Sequence, residues 1–175
     1  MNKLPPATLI LLSLFCFGVL HLQAQADSKA VMIRGKIYID VDDTCKIYLN
    51  GKLIHHAQEN FSITPEVALT VGDRLVVHVW DAGNAKGLKL VFVSTDKQWM
   101  FNFSDKSYRY WRDPEVMDFT AADFQGLKEG PKKFGGKTDR IPFKNNSDYV
   151  WGDKPTGSSW LAVMITKDMV VPFKK

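Results

Sequence analysis

Ile37, Ile39 and Val41 alternate with Lys36, Tyr38 and Asp40; Asp42-Asp43 follows at once, and a second apolar run, Ile47-Tyr48-Leu49, leads straight into Asn50-Gly51. A period of two sends successive side chains to opposite faces of a strand, so the first run reads as a strand with one apolar face. Asn-Gly is the pair that most readily takes positive φ at two successive residues, as the type I′ turn of a two-residue hairpin demands. Strand, acidic corner, strand and hairpin leave no room for a helix in this stretch.

The rest of the chain keeps to that pattern. Further strands are predicted at 61–63, 74–80, 88–93, 99–103, 159–166 and 170–173, with Gly72-Asp73 as the turn that opens the second of them. In 74–80, Leu75, Val77 and Val79 share one face and Val76, His78 and Trp80 the other, which predicts a central strand covered on both sides, with Trp80 in the core. Trp160 is expected in the core for the same reason. Pro172 cannot donate to a ladder, so 170–173 is expected at an edge. One helical turn is predicted over 118–124, and an exposed loop or lid over 125–138, where glycine, lysine and proline dominate. These signals define an all-β, antiparallel, jelly-roll-like β-sandwich with long loops and at most short helical turns. Its core should gather Ile37, Ile39, Val41, Ile47, Leu49, Leu75, Val77, Val79, Leu161, Val163 and Ile165.

Residues 1–26 have the layout of a cleaved secretory signal peptide: Lys3, an apolar run from Leu9 to Leu20, then Ala24-Gln25-Ala26. That run of about a dozen residues falls short of the roughly 20 that a spanning helix needs, so no stable membrane span is expected. Residues 27–175 then form a single sandwich domain, secreted to a periplasm or the extracellular space. Cys45 is the one cysteine beyond the leader, which leaves no intrachain disulfide and no cysteine-based metal cluster. The formal net charge of +4 is mild and partly concentrated at Lys128, Lys132, Lys133 and Lys137. Export argues against nucleic acid as a partner.

The candidate ligand-binding residues are Tyr108, Arg109, Tyr110, Trp111, Arg112 and Asp113. Rings and charges crowd together there, and the segment cannot bury every side chain without burying charge at high cost. At least one ring should therefore face solvent, where a sugar ring could stack on it. No catalytic residue stands out: no Ser, His and Asp set can be assembled from spacing, and His55 and His56 are neighbours that a strand would point to opposite faces, away from a shared metal.

Through Asp42-Asp43, Ile47-Tyr48-Leu49-Asn50-Gly51-Lys52-Leu53-Ile54 and Val71-Gly72-Asp73-Arg74-Leu75-Val76-Val77-His78-Val79-Trp80-Asp81, the chain resembles extracellular galactose-binding-like and PA14-like β-sandwich modules. The likeness continues more loosely in Tyr149-Val150-Trp151-Gly152 and Ser159-Trp160-Leu161. In PA14-like lectins, paired aspartates at such a corner can hold a calcium ion that also meets sugar hydroxyls, oxygen ligands suiting that cation. The resemblance thus makes Asp42 and Asp43 candidate calcium ligands, although the glycine and distant glutamate of an EF-hand loop are missing. Two carboxylates bracing a turn by accepting hydrogen bonds is the alternative. The resemblance implies a secreted, non-catalytic binding module for a glycan or other extracellular polymer. Alternatives are a sandwich that presents an edge or loop to an extracellular protein, and a small secreted hydrolase.

Overall fold

The computed structural model describes residues 32–58, 60–81, 87–111, 117–120, 123, 128–129, 132–134, 139–151 and 157–174. They form two antiparallel sheets packed face to face. In chain order the strands are β1 (Ile33–Val41), β2 (Thr44–Leu49), β3 (Lys52–Ala57), β4 (Phe61–Ile63), β5 (Val67–Leu69), β6 (Arg74–Asp81) and β7 (Leu88–Ser94). They continue with β8 (Trp99–Asn102), β9 (Tyr108–Trp111), β10 (Lys128–Glu129), β11 (Lys132–Phe134), β12 (Tyr149–Trp151), β13 (Gly157–Met164) and β14 (Val170–Pro172). The larger, eight-stranded sheet centres on the pair β1–β7. There β4 and β5 share the free side of β1, β12 and β8 share that of β7, and β11 and β14 lie outermost. The smaller sheet has the order β10-β9-β13-β6-β2-β3, so β6 is central and β14 is an edge, as the sequence predicts. Among the described residues the helical runs are two 3-10 turns, Asp105–Ser107 and Lys167–Met169, and no helix is long and apolar enough to cross a membrane.

The acidic pair carries the chain from one sheet to the other. Asp43 takes φ 65, a left-handed conformation that aspartate tolerates better than most residues, and the Asp42 amide donates to the Gly87 carbonyl at 3.1 Å. The β2–β3 hairpin closes on Asn50 (φ 48) and Gly51 (φ 79), the conformations its type I′ turn requires. Asn50 also joins this turn to the next one: its Nδ2 donates to Asp73 Oδ1 at 2.9 Å, and its Oδ1 accepts from the Arg74 amide at 3.0 Å.

All the residues expected in the core line one buried cluster between the sheets, with Leu49 partly buried at its margin. Gly35 is required by close approach, since a β-carbon there would sit 2.1 Å from the Val93 carbonyl oxygen and 2.6 Å from the Phe92 ring.

Two expectations change. Trp80 is not in the core: it is 47 % exposed, in the outer row Thr44–Trp80–Ser158 at the end of β6. Alternation put it on the correct face, but that face is roofed only farther along the sheet. The segment 125–138 is not one continuous loop either, because β10 pairs with β9 of the smaller sheet and β11 with β12 of the larger. Ladder hydrogen bonds, which satisfy backbone groups whatever the side chains, gave no signal in composition. The leader expected at 1–26 lies outside the described residues, as does most of the helical turn predicted at 118–124. At that turn Asp123 is helical, and it exchanges hydrogen bonds with Thr120.

Candidate functional site: the outer face of the smaller sheet

Register fixes the rows of this face. Across β2, β6, β13 and β9 run Lys46–His78–Trp160–Trp111 and Tyr48–Val76–Ala162–Arg109, flanked by the shorter rows Thr44–Trp80–Ser158 on one side and Arg74–Met164 on the other. β-branched and aromatic residues suit these positions because cross-strand neighbours pack against one another. The His78 ring lies flat on Trp160, with centroids 4.1 Å apart and planes 3° from parallel, and Tyr48 also stacks on Trp160 at 6.1 Å. His78 Nε2 and the Ser158 hydroxyl share a hydrogen bond of 2.7 Å.

One end of the face is closed. Phe119 is buried on Tyr48, Val76, Trp160 and Ala162, and its neighbour Asp118 grips Arg74 through two hydrogen bonds, of 2.8 and 3.2 Å. The guanidinium holds the Asp118 carboxyl below its usual range. The other end is open. There Trp80 presents its indole beside half-buried His78 and exposed Ser158, with exposed Lys46 and His56 in the adjoining row. Side-chain groups of this kind donate hydrogen bonds, and a bare indole face stacks on flat or C–H-rich surfaces.

The outer face of the larger sheet differs. Asp40, with no exposure, accepts from the Arg140 amide at 2.8 Å, Arg140 Nη1 at 3.1 Å and the Tyr149 hydroxyl. Lys89 reaches Asp139 at 2.7 Å and lies over the Tyr149 ring, and Asn145 donates to the same carboxylate. Burial pushes the Asp139 carboxyl up, but the Lys89 hydrogen bond and the Ile141 amide outweigh it and leave the group below its ordinary value. Burial and the Asp40 hydrogen bond push the Tyr149 phenol up. Each charge here is matched by a partner that anchors residues 139–147 over the sheet.

The sequence-predicted site is divided by this geometry. Tyr108 is fully buried against the core beside Phe103, and its hydroxyl has no hydrogen-bond partner among the described residues. The core position follows from register, since Tyr108 falls opposite Val163 on the inward face, so its ring offers no surface to a ligand. Arg109 is half-buried and donates to the carbonyls of Lys106 and Tyr108. In register Tyr110 falls opposite Leu161, and Trp111 opposite Trp160 in the outer row. Arg112 and Asp113 lie outside the described residues. Asp42 is half-buried and Asp43 exposed at the sheet-to-sheet corner. No group of three or more His, Cys, Asp or Glu residues converges among the described residues. Sequence reasoning missed Trp80 as a surface residue. The available signal was its place as the last aromatic of its strand, directly before Asp81-Ala82-Gly83-Asn84, a run whose composition favours a turn.

The fold and this face define a β-sandwich with a partly open aromatic surface. No protein-family model, curated protein or solved structure matches the chain.

Proposed function

We propose that the protein is a secreted, non-catalytic binding module that takes a glycan on the open end of the smaller sheet's outer face. One observation carries the reading: Trp80 is 47 % exposed at the end of a face on which Tyr48, Phe119 and Trp160 are packed away. A large apolar ring left in water beside hydrogen-bond donors has the composition of a stacking surface. A pyranose would lay its C–H face on Trp80, while Lys46, His56 and Ser158 donate to its hydroxyl or carboxylate oxygens. The likeness to galactose-binding-like and PA14-like modules supports the same class of ligand.

Asp42 and Asp43 brace the corner in this reading. Calcium prefers six to eight oxygen ligands, so the pair would need carbonyl or sugar oxygens to complete a site. Calorimetric titration of the chelated protein decides the point: a stoichiometric calcium isotherm lost in Asp42→Asn and Asp43→Asn would assign the ion to the corner. The functional reading is tested on a glycan array, comparing the wild type with Trp80→Ala. Selective retention of one glycan class by the wild type and its loss in the variant is expected. Equal retention by both would remove Trp80 from the site.

A further inference from the structure

A second surface feature lies on the opposite sheet, and its chemistry differs from that of the Trp80 face. Tyr38, Val93, Lys97, Pro142, Phe143 and Phe173 line a cleft of about 250 Å³. At about 30 Å³ for each water of liquid volume, it has room for on the order of eight waters, or a molecule of one or two fused rings. Its wall is a chain of three rings: Phe143 meets Tyr38 edge-on at 4.9 Å and Phe173 at 5.3 Å. One end of the wall is tied down, because the Phe173 amide donates to the Gln98 carbonyl at 2.9 Å.

Lys97 stands at this cleft in a conformation that disfavours it. Its φ of 56 lies in the left-handed region, where Gly or Asn would sit with less strain. The turn around it is tightly made: Ser94 Oγ accepts from the amides of Gln98 and Trp99, and Asp96 accepts from the Ser94 hydroxyl and the Gln98 amide. Asp96 stays anionic, its carboxyl held below the usual range by the Ser94 hydroxyl and the Gln98 amide, but its Oδ1 is directed into the turn and forms no ion pair with Lys97. Glu66 takes the Thr95 hydroxyl and faces Arg34. Among the described residues no carboxylate forms an ion pair with Lys97. Exposed Lys144 and Lys174 adjoin Phe143 and Phe173 in sequence, and exposed Lys36 pairs with Val93 across the ladder. An aromatic wall with the Lys97 ammonium in its lining, and no carboxylate ion-paired to it among the described residues, complements a flat apolar body that bears one negative charge.

We propose that this cleft is a second ligand site, which takes a small planar aromatic carboxylate with its ring on Phe143 and Phe173 and its carboxylate on Lys97. The test is a titration of the ¹⁵N-labelled protein with 2-naphthoate and, separately, with uncharged 2-naphthamide. Naphthoate should shift the amide signals of Lys97, Phe143 and Phe173, and bind about fivefold more tightly than the amide, the preference expected for a partly solvated ion pair. Lys97→Asn suits the backbone at that φ, so it should keep the fold, lower naphthoate affinity to the level of the amide and leave the amide's affinity unchanged. Phe173→Ala should weaken both probes equally. The proposal is overturned if naphthoate causes no shifts at millimolar concentration, if its advantage survives in Lys97→Asn, or if the shifts fall on His78, Trp80 and Ser158.

Discussion

On the larger sheet, residues 139–147 are pinned by the buried Asp40 carboxylate, which takes Arg140 and Tyr149, and by the Lys89–Asp139 pair. On the smaller sheet, the crossing segment 117–120 holds by one ring, Phe119, and one half-exposed ion pair, Arg74–Asp118, and it stops short of Trp80. One sandwich thus covers its two outer faces by different physics. Burying a charge network is costly unless every group is matched, so the larger sheet's cover tolerates little change. A cover held by apolar contact over part of a face leaves the remainder free to meet something else.

The contrast is broken most forcefully at Asp40. Asp40→Asn leaves the Tyr149 hydroxyl and the Arg140 guanidinium without their shared anion, and should cost about 3 kcal/mol in chemical denaturation. A loss below 1 kcal/mol would mean that the charges are not what holds this cover. Phe119→Ala comes next, at about 2 kcal/mol through lost burial on Tyr48, Val76 and Trp160, because this site borders solvent and can relax. The glycan binding proposed for the Trp80 end should persist in this variant, since the open end is untouched.

Tyr108→Phe should act in the opposite direction. Removing a hydroxyl that is buried without a described partner is expected to stabilise the protein by about 1 kcal/mol. The same change bears on pH. Burial pushes the phenols of Tyr108 and Tyr149 above their ordinary value of 10.0, so the folded state favours the neutral form. The stability they contribute is complete below pH 10 and is lost as pH rises through their folded values, and Tyr108→Phe should blunt that alkaline loss. At the acid end the signs reverse. Asp118 and Asp139 are held below the usual 3.8, so their contribution is present above that value and disappears as pH falls through their lower folded values. For half-exposed Asp118 the effect is at most about 1 kcal/mol, measured as the difference between wild type and Asp118→Asn in acid unfolding.

The fold was legible because alternation and turn chemistry agreed. Ile37, Ile39 and Val41 face the core as their period predicts, and Asn50-Gly51 makes the turn its two residues are suited to. The site was less legible, since exposure depends on what crosses over a sheet and not on the strand alone. Val76 and Trp80 share one face of β6, yet Phe119, distant in sequence, covers the first and leaves the second in water. Within the Tyr108-Arg109-Tyr110-Trp111 run, the burial of Tyr108 was hidden for a related reason. The run's alternation was masked by rings on both faces, so the register that puts Tyr108 opposite Val163 could be read only from the pairing of β9 with β13.

The smallest expected effect on stability belongs to Trp80→Ala, within about 0.5 kcal/mol of wild type because so much of the ring is already in solvent. That separation of binding from folding is the centre of the account, and NMR titration of the ¹⁵N-labelled protein with the glycan retained on the array tests it most directly. Shifts should concentrate at the Trp80 indole and at the amides of Lys46, His78 and Ser158, leave those of Asp40, Lys89 and Tyr149 unmoved, and vanish in a Trp80→Ala protein that remains folded. Shifts confined to the larger sheet, or an unchanged titration in folded Trp80→Ala, would contradict it.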